Sequence, residues 1–376
     1  MWVQKQRNII DFTISSLNRR KGKNTALVLV YTLVVFLLAS VMFFTQALKR
    51  EASRVLRDAP ELVVQRMSAG RHELVPKKYL AVVETIKGVS SVRGRLWGYY
   101  YDPVVGANYT IIVSEEAGHA PGDITVGSGV ARARAAASSD IFVLRTYDGA
   151  TIPFQIKNIL PSDSELVSSD LIIMSEPDYR RVFGTAAGYF TDITLKVRNA
   201  KEVGTVASKI VSLLPDTRPI TRREILRTYD SVFDWRGGLV VVILTGAVLA
   251  FIIVAWDKAS GLSSDEKKEI GILKAVGWET SDVLLMKFWE GTVISLCSFL
   301  TGILLAYVHV FFTSAALFAP VLKGWSVLYP EFRLVPFLDP YQLATLFFLS
   351  VVPYTVATIV PSWHAATIDP DSVMRS

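Results

Sequence analysis

"EKKEIGILKAVGW", residues 266–278, is a short charged segment that lies between two long apolar runs. Ile270, Leu273 and Val276 recur three residues apart within it, which predicts a narrow apolar stripe on an amphipathic helix. Gly277 is the kind of residue that closes a helix, because glycine tolerates the left-handed conformation found there. The segment therefore predicts a short helix held at a membrane face between two spans.

Four stretches are long and apolar enough to cross a lipid core of about 30 Å, which takes about 20 apolar residues in a helix. They are residues 26–44, 239–256, 292–312 and 343–360. The first is too long for the apolar region of a signal peptide and no cleavage site follows it, so we expect it to remain as an anchor. The chain is 51% hydrophobic and 20% charged, which is typical of a membrane protein with a sizeable water-exposed part.

Basic residues are concentrated before the first run and between the second and third runs. They are Lys5, Arg7, Arg19, Arg20, Lys21, Lys23, Lys258, Lys267, Lys268, Lys274 and Lys287. The connection between the third and fourth runs holds only Lys323 and Arg333. The positive-inside rule then predicts a multi-pass protein of the inner (cytoplasmic) membrane with both termini in the cytoplasm. The net charge of +6 is thus explained by topology, and we expect no nucleic-acid partner.

Roughly 190 residues separate the first two runs, enough for a folded domain outside the cytoplasm. β-Branched and aromatic residues predict strands at 61–65, 109–113, 141–145, 152–160, 170–174 and 192–197. Helical periodicity at 77–89, with Gly88 as its cap, and at 199–215 predicts two helices packed on a sheet. The small residues of 128–140 predict a mobile connection. The fold class is therefore an α-helical membrane protein with four transmembrane helices plus an extracytoplasmic mixed α/β domain between the first and second spans.

The predicted organisation has nine segments. They are a cytoplasmic amphipathic N-terminal helix (1–24), the first transmembrane helix (25–48), the extracytoplasmic α/β domain (49–220), a stalk and second transmembrane helix (221–256), a cytoplasmic coupling segment (257–283), the third transmembrane helix (284–312), an extracytoplasmic loop (313–337), the fourth transmembrane helix (338–361) and a cytoplasmic tail (362–376).

Local patterns add detail to two of these segments. Thr221 and Glu224 form a capping-box pattern at the start of the stalk. Gly237 and Gly238 mark either a flexible hinge at the membrane surface or the end of one helix and the start of the next. Similar patterns predict helix caps at Ser263 with Glu266 and at Ser281 with Asp282, on either side of the opening segment. In the N-terminal helix, apolar residues fall on one side, at Val3, Ile10, Ile14 and Leu17, and predict a helix lying on membrane lipid.

Four aromatic residues crowd one short stretch of the predicted external domain, at Trp97, Tyr99, Tyr100 and Tyr101. Alternate residues of a strand face opposite ways, so we expect at least one ring on an exposed face. Such a ring would contact a partner or an apolar substrate, and the others would pack in the core.

The sequence contains no G-x-x-x-x-G-K-[ST] motif, so the binding of nucleotide phosphates is assigned to another polypeptide. Four histidines without zinc-like spacing and the single Cys297 predict no metal site and no catalytic set. His309 lies inside the third run, where a packed neutral histidine and a haem or metal ligand are the two alternatives. We expect a non-catalytic chain with no cofactor of its own.

Two segments resemble the MacB/FtsX/LolC-type permeases, the membrane subunits of a mechanotransmissive class of ABC transporter. One is "EKKEIGILKAVGWETSDVLLMKFWEG" (266–291) with an apolar span on either side, and the other is the tail "PSWHAATIDPDSVMRS" (361–376). The tail matches the closing pattern of that family at Pro361, Ala365, Ala366, Asp369, Pro370, Met374 and Arg375. The predicted order of one span, a large external domain and three spans also agrees.

The resemblance implies a permease subunit that couples ATP hydrolysis by a separate ATPase to movements of its external domain, for export or extraction of a substrate. It assigns contact with the ATPase to Glu269, Ile270, Gly271, Lys274, Ala275 and Gly277. Within that set, Glu269 and Lys274 would face the ATPase and Ile270 the membrane side.

The partners implied are two copies of an ABC ATPase that bind ATP and Mg, a second permease copy or a paralogue, and a periplasmic adaptor or envelope protein. Two alternatives are an FtsX-like regulatory protein that activates a cell-envelope hydrolase and a membrane anchor without transport activity.

Overall fold

The computed structural model describes residues 2–55, 59–114, 118–161, 168–228, 264–318, 327–329 and 334–367, with residues 245, 246, 249 and 252. The chain divides into two compact units. The helical unit comprises Met1–Ala47, Asp234–Leu317 and Leu334–Ser376, and the α/β unit comprises Leu48–Phe233 and Phe318–Arg333. The predicted hinge at Gly237 and Gly238, the cap at Ser263, almost all of the predicted second span and the tail from residue 368 lie outside the described residues.

The α-helices are α1 (Trp2–Arg19), α2 (Lys21–Val55), α3 (Lys78–Glu84), α4 (Ser128–Arg134), α5 (Glu176–Phe183), α6 (Val203–Leu213), α7 (Ser264–Ala275), α8 (Thr280–Phe311) and α9 (Pro340–Thr367). A 3₁₀ turn at Ala200–Glu202 precedes α6. Two helical stretches, Lys21–Glu51 and Thr280–Phe311, are long and apolar enough to cross a membrane. They contain the predicted first span and all but the last residue of the predicted third span. Helix α9 covers the predicted fourth span. The count of four spans remains a prediction.

Helices α2 and α8 pack through small and polar residues. A Cβ on Gly302 would lie 2.8 Å from Cβ of Val35, so the two helices approach too closely there for any side chain larger than hydrogen. Ser298 donates a hydrogen bond of 3.3 Å from its hydroxyl to the Val28 carbonyl. Several leucines lie exposed on the outer faces, as at Leu33 and Leu304. Small residues inside and leucines outside are typical of helices that pack against one another in lipid.

Helix α9 joins this bundle through contacts with Tyr31 of α2, and a histidine of α8 is held by its own neighbours. Tyr31 donates a hydrogen bond from its hydroxyl to the Ser350 carbonyl, and its ring stacks on that of Tyr354 with the centroids 5.4 Å apart.

His309, buried in α8, has Nδ1 3.2 Å from the Ser40 hydroxyl, and its Nε2 accepts a 3.1 Å hydrogen bond from the Leu317 amide. Because Nε2 accepts, the ring is neutral, and both nitrogens are occupied by the protein itself. These contacts favour the packed histidine over the ligand role.

The strands of the α/β unit are β1 (Leu62–Ser68), β2 (Arg71–Glu73), β3 (Val75–Pro76), β4 (Val89–Arg95), β5 (Trp97–Asp102), β6 (Ala107–Val113), β7 (Asp123–Val126), β8 (Ile141–Arg145), β9 (Thr151–Ile159), β10 (Leu171–Met174), β11 (Tyr189–Phe190), β12 (Asp192–Val197) and β13 (Thr217–Thr221). All six predicted strands are confirmed, as β1, β6, β8, β9, β10 and β12. The prediction missed β2, β3, β4, β7, β11 and β13. Strand β4 ("VSSVRGR") is largely polar and β13 ("TRPIT") contains a proline, and the other four have two to four residues each.

The strands form two main sheets. One has the order β13-β1-β12-β4 with β2 paired to β1, and its strand pairs are antiparallel. The other has the order β5-β6-β10-β7-β9-β8 and is mixed, with β6–β10 and β7–β9 parallel. Strands β3 and β11 form a small separate pair.

Helices α3 and α6 cover the five-stranded sheet and bury Val83, Val206 and Ile210 against it. Leu213, which continues the helical spacing of Val206 and Ile210, is 53% exposed, and Leu214, just past the end of the helix, is buried instead. The predicted cap at Gly88 is wrong. Helix α3 already ends at Glu84, and Gly88 adopts φ +104° in the turn before β4.

Helices α4 and α5 cover one face of the six-stranded sheet. The stretch 128–140, predicted as a mobile connection, begins with α4, whose Val130 and Ala131 are buried in the sheet's core. Its small residues serve close packing, because a Cβ on Gly127 or Gly129 would lie 2.0 Å from the Ser168 carbonyl oxygen or the Ser169 hydroxyl. A loop and a tightly packed helix thus share the same composition.

Candidate functional site

The opening segment forms α7, and its end is fixed by two backbone hydrogen bonds. The Trp278 amide donates to the Leu273 carbonyl and the Gly277 amide donates to the Lys274 carbonyl, each at 3.0 Å. Gly277 adopts φ +103°, the left-handed region that a side chain disfavours. This pair of bonds is the Schellman motif, so the predicted end of the helix is confirmed.

The Schellman turn places Trp278 beside Leu273 and against the N-terminal helix. Leu273 is buried with Ile9 of α1 and Met286 of α8, and Phe12 and Trp278 pack around them, with ring centroids 5.3 Å apart. We call these five residues the base cluster. Because it contains residues of α1, α7 and α8, it fastens the short helix to both of its neighbours.

Ion pairs at the edge of the base cluster strengthen this attachment. The Glu269 carboxylate accepts a 2.7 Å hydrogen bond from the Arg19 guanidinium and a second hydrogen bond from Arg20. Lys5 of α1 lies 2.7 Å from the Asp282 carboxylate at the start of α8. That hydrogen bond raises the pKa of the Lys5 ammonium. Helix α1 is therefore held to α7 and α8 by charge as well as by packing.

The six residues assigned to ATPase contact do not share one surface. Ile270 and Gly271 are buried, Glu269 and Lys274 are half-buried, and Ala275 and Gly277 are exposed. The Glu269 carboxylate is directed at α1. Among the residues that the structure describes, a Cβ on Gly271 would meet no atom within 4 Å outside its own helix.

Val276, predicted as the third residue of the buried stripe, is 77% exposed. Three residues turn a helix by about 300°, so two such steps displace Val276 by roughly 120° from Ile270, and the chain turns away at Gly277. Ile272, 58% exposed, lies four residues before Val276 and so on the same side, with Ala275 beside it. Ile272, Ala275 and Val276 form what we call the exposed α7 face. The four-residue spacing of Ile272 and Val276 was the sequence signal for it.

The cap of α8 lies earlier than predicted. Glu279, not Ser281, is the N-cap. The Glu279 amide donates a 3.3 Å hydrogen bond to the Asp282 carboxylate in a reciprocal capping box. The predicted stalk start is supported, because the Glu224 amide donates a 3.1 Å hydrogen bond to the Thr221 hydroxyl and residues 222–228 are helical.

The aromatic stretch of the α/β unit lies on β5, an edge strand of the six-stranded sheet. Tyr99 and Tyr101 are 71% and 60% exposed on one face of the strand. Tyr100 points to the other face, where it stacks on Tyr109 at 6.4 Å and accepts a 2.8 Å hydrogen bond from the Arg145 amide. The four aromatic residues therefore divide between surface and core.

The free edge of β5 is partly occupied. The Thr191 hydroxyl accepts a 3.0 Å hydrogen bond from the Trp97 amide and donates one of 2.8 Å to the Trp97 carbonyl. The Trp97 indole donates a 2.9 Å hydrogen bond to the Asp192 carboxylate. Alternate residues of an edge strand point the same way, so the main-chain groups of Tyr99 and Tyr101 also face outward from the sheet. In the described part of the chain no group of three or more His, Cys, Asp or Glu side chains is placed to hold a metal ion.

Comparison with known proteins finds a family match in the C-terminal part of the chain. Residues 237–370 match the family described as the FtsX-like permease C-terminal domain. An uncharacterized ABC transporter permease of Methanocaldococcus jannaschii is 24% identical over 165 residues. That alignment spans 40% of this chain and 39% of the relative, so it covers less than half of either protein.

Two solved extracellular regions are similar in structure. The extracellular domain of the noncanonical ABC-type transporter YknZ from Gram-positive bacteria is 10% identical, with a TM-score of 0.29, over 43% of this chain and 99% of that domain. The periplasmic region of MacB from Actinobacillus actinomycetemcomitans is 9% identical, with a TM-score of 0.30, over 45% of this chain and 92% of that region.

The family match covers the segment that contains α7, α8 and most of α9, which is also the segment on which the predicted resemblance rested. The resemblance is thereby supported for this part of the chain: residues 237–370 carry an FtsX-like permease C-terminal domain.

Proposed function

We propose that this chain is the membrane subunit of an ABC transporter and that it receives the motion of a separate ATPase through the exposed α7 face. The observation that carries the proposal is the combination of a firmly held helix with an uncovered apolar end. Helix α7 is fixed by the base cluster and by Glu269, yet it presents Ile272 and Val276 outward. Apolar side chains on a rigid support suit contact with another protein.

The attachment of α7 determines where a push at its exposed face would go. Leu273 contacts Met286 of α8 in the base cluster, and only four residues separate the two helices. Displacement of α7 would therefore move the start of α8 and, through Arg19 and Arg20, also α1. We propose that the motion continues along the second span and the stalk from residue 222 into the α/β unit.

The remaining assignments belong to the same proposal. The base cluster faces the cytoplasm and the α/β unit lies outside the inner membrane. Two ATPase copies supply the ATP and Mg sites, and a second permease copy or a paralogue completes the assembly. Export or extraction of a substrate fits a chain whose largest domain lies outside the membrane. Tyr99 and Tyr101 offer the contact for an adaptor or envelope protein.

The test replaces Ile272 and Val276 by aspartate in the full-length chain co-expressed with its ABC ATPase. Loss of two apolar contacts, each worth about 1.5–3 kcal/mol when buried, should weaken co-purification by tenfold or more. Leu213→Asp, at a side chain that is 53% exposed on α6 of the α/β unit, is the matched control. Full ATPase recovery with the double variant would contradict the proposal.

Gly271 supplies a second, independent probe. Gly271→Ala adds one methyl group where the described residues leave room, so the chain should fold and insert normally. Gly271→Trp places a large side chain at a buried position, and in the folded, membrane-inserted protein it should reduce ATPase binding or stimulation. Normal stimulation by Gly271→Trp would mean that Gly271 lies outside the contact.

The FtsX-like alternative differs in its outer partner. If the exposed tyrosines of β5 bind a cell-envelope hydrolase, the ATPase contact at α7 should be unchanged. The activity of the bound hydrolase should then rise and fall with the rate of ATP hydrolysis. Assay of the co-purified outer partner for hydrolase activity separates the two functions.

A further inference from the structure

The two sheets of the α/β unit are connected to the rest of the chain in different ways. The chain enters this unit at β1 and leaves it at β13, which are neighbouring strands of the five-stranded sheet. The six-stranded sheet is built entirely from strands between β4 and β12 along the chain. The main chain that leads to the stalk therefore reaches the six-stranded sheet only through the five-stranded one.

A second connection comes from the segment between α8 and α9. Residues 327–329 belong to the α/β unit. The Ser169 hydroxyl donates a 3.0 Å hydrogen bond to the Leu328 carbonyl, and the Arg132 guanidinium donates a 3.2 Å hydrogen bond to the Tyr329 carbonyl. The Leu328 side chain packs against the core of the six-stranded sheet.

Ser169 is well placed to hold this segment. Its carbonyl accepts a 3.0 Å hydrogen bond from the Val130 amide of α4, and the residue is buried. A Cβ on Gly129 would lie 2.0 Å from the Ser169 hydroxyl, so glycine is needed for this serine to lie against α4. Ser169 thus joins α4 and segment 327–329 through its two polar groups.

We propose that segment 327–329 is a strap that ties the six-stranded sheet directly to the connection between α8 and α9. Under this proposal the six-stranded sheet receives motion by its own route, at Ser169 and Arg132, while the five-stranded sheet receives it through β13 and the stalk. The strap deepens the proposed function and rests on it for the claim that motion is transmitted. The docking itself is independent of the ATPase.

The first experiment tests the docking in the full-length chain with Cys297→Ser. Arg132→Cys with Val327→Cys, both at exposed positions, should be joined by a short bismaleimide, detected by mass spectrometry of the digested protein. Ser208→Cys with Val327→Cys is the control, because Ser208 is an exposed serine on α6 of the other sheet. Equal cross-linking of the two pairs would overturn the strap.

The second experiment measures hydrogen exchange of the full permease–ATPase complex with and without a non-hydrolysable ATP analogue. Ser169→Ala with Arg132→Ala removes both anchoring bonds. Ser208→Ala with Arg93→Ala is the control, at exposed side chains of the five-stranded sheet and its helix. Without nucleotide, exchange at residues 127–134 should rise roughly fivefold in the anchor variant, as expected for the loss of one such bond, and stay unchanged in the control.

The response to nucleotide distinguishes the two proposals. In the wild-type complex, exchange should change both at residues 127–134 and at 217–221, and the anchor variant should lose the change at 127–134 only. A wild-type change confined to 217–221, or one retained at 127–134 in the anchor variant, would overturn the strap and leave the proposed function intact. No change at either site in a wild-type complex that binds the ATPase would instead overturn the proposed function, and the strap's transmitting role with it.

Discussion

The Arg19 guanidinium donates a hydrogen bond of 2.7 Å to the Glu269 carboxylate, across 250 positions of the chain. Glu269 is one of the residues assigned to ATPase contact by resemblance, yet its charge is used to hold α1 against α7. A variant at Glu269 should therefore act first on the attachment of α1. Any effect on ATPase binding would follow from that change.

A double-mutant cycle of Arg19→Ala and Glu269→Ala tests this order of events. The Arg19 side chain is 58% exposed, so we expect a coupling energy of only about 0.2–1 kcal/mol in thermal unfolding of the full chain in detergent. Arg20→Ala should couple more strongly, because the Arg20 side chain is only 22% exposed. Zero coupling for both arginines, with ATPase binding still lost in Glu269→Ala, would assign Glu269 to the ATPase directly.

Gly277 and Gly204 form a matched pair for the Schellman motif. Gly277 has φ +103°, whereas Gly204 lies in right-handed helix α6, and a Cβ at either position meets no described atom within 4 Å. Gly277→Ala should destabilise the chain by about 1–3 kcal/mol through backbone strain alone. Gly204→Ala should stabilise it by up to about 1 kcal/mol through helix propensity. Thermal unfolding of both variants measures the difference, and equal effects would show that Gly277 is not needed for the turn.

These contrasts show which parts of the site were predictable from sequence. The end of α7 could be predicted, because a Schellman motif is local and needs only a glycine at one position. The pairing of Arg19 with Glu269 could not be predicted. It depends on contact between two helices that are distant in the sequence, and such a contact produces no periodic pattern of residues. Helix α4 was mistaken for a connection because glycine, alanine and serine are typical both of loops and of closely packed helices. The strand runs were found because they are rich in β-branched and aromatic residues.

The β5 tyrosines should separate stability from partner binding. Tyr99→Ala and Tyr101→Ala should change the free energy of unfolding by about 0.5 kcal/mol or less, since both side chains are mostly exposed. Tyr100→Ala should cost about 2–4 kcal/mol, because it removes the stack on Tyr109 and the acceptor for the Arg145 amide. Capture of an outer partner should be lost in the first two variants. If neither affects a partner that the folded wild type binds, the exposed tyrosines are not the contact.

Acid should weaken the five-stranded sheet at Asp216. Hydrogen bonds from Arg66 and Tyr79, each 2.8 Å long, lower the pKa of this carboxyl, that from Arg66 most. A lowered pKa in the folded state gives stability that is present above about pH 4 and is lost as pH falls through the folded value. The contribution should stay below about 1 kcal/mol, because the Asp216 side chain is 36% exposed.

The measurement is the melting temperature of the full chain in detergent between about pH 3 and pH 6. Asp216→Asn should flatten the acid side of this curve relative to wild type. Arg66→Met, which removes the main cause of the lowered pKa, should flatten it similarly. An unchanged slope in both variants would mean that the ion pair does not control acid stability here.

Orientation in the membrane is tested by single cysteines in a Cys297→Ser background. Ser138 is an exposed residue of the α/β unit, and Ser281 is an exposed residue at the start of α8, near the base cluster. Exposed sites are needed because a thiol reagent does not reach a buried position such as the Ser128 hydroxyl. An impermeant thiol reagent added to intact cells should label Ser138→Cys and should reach Ser281→Cys only after the membrane is permeabilised. Labelling of both positions from outside would place α7 on the same side as the α/β unit, and no cytoplasmic ATPase would then be able to contact Ile272 or Val276.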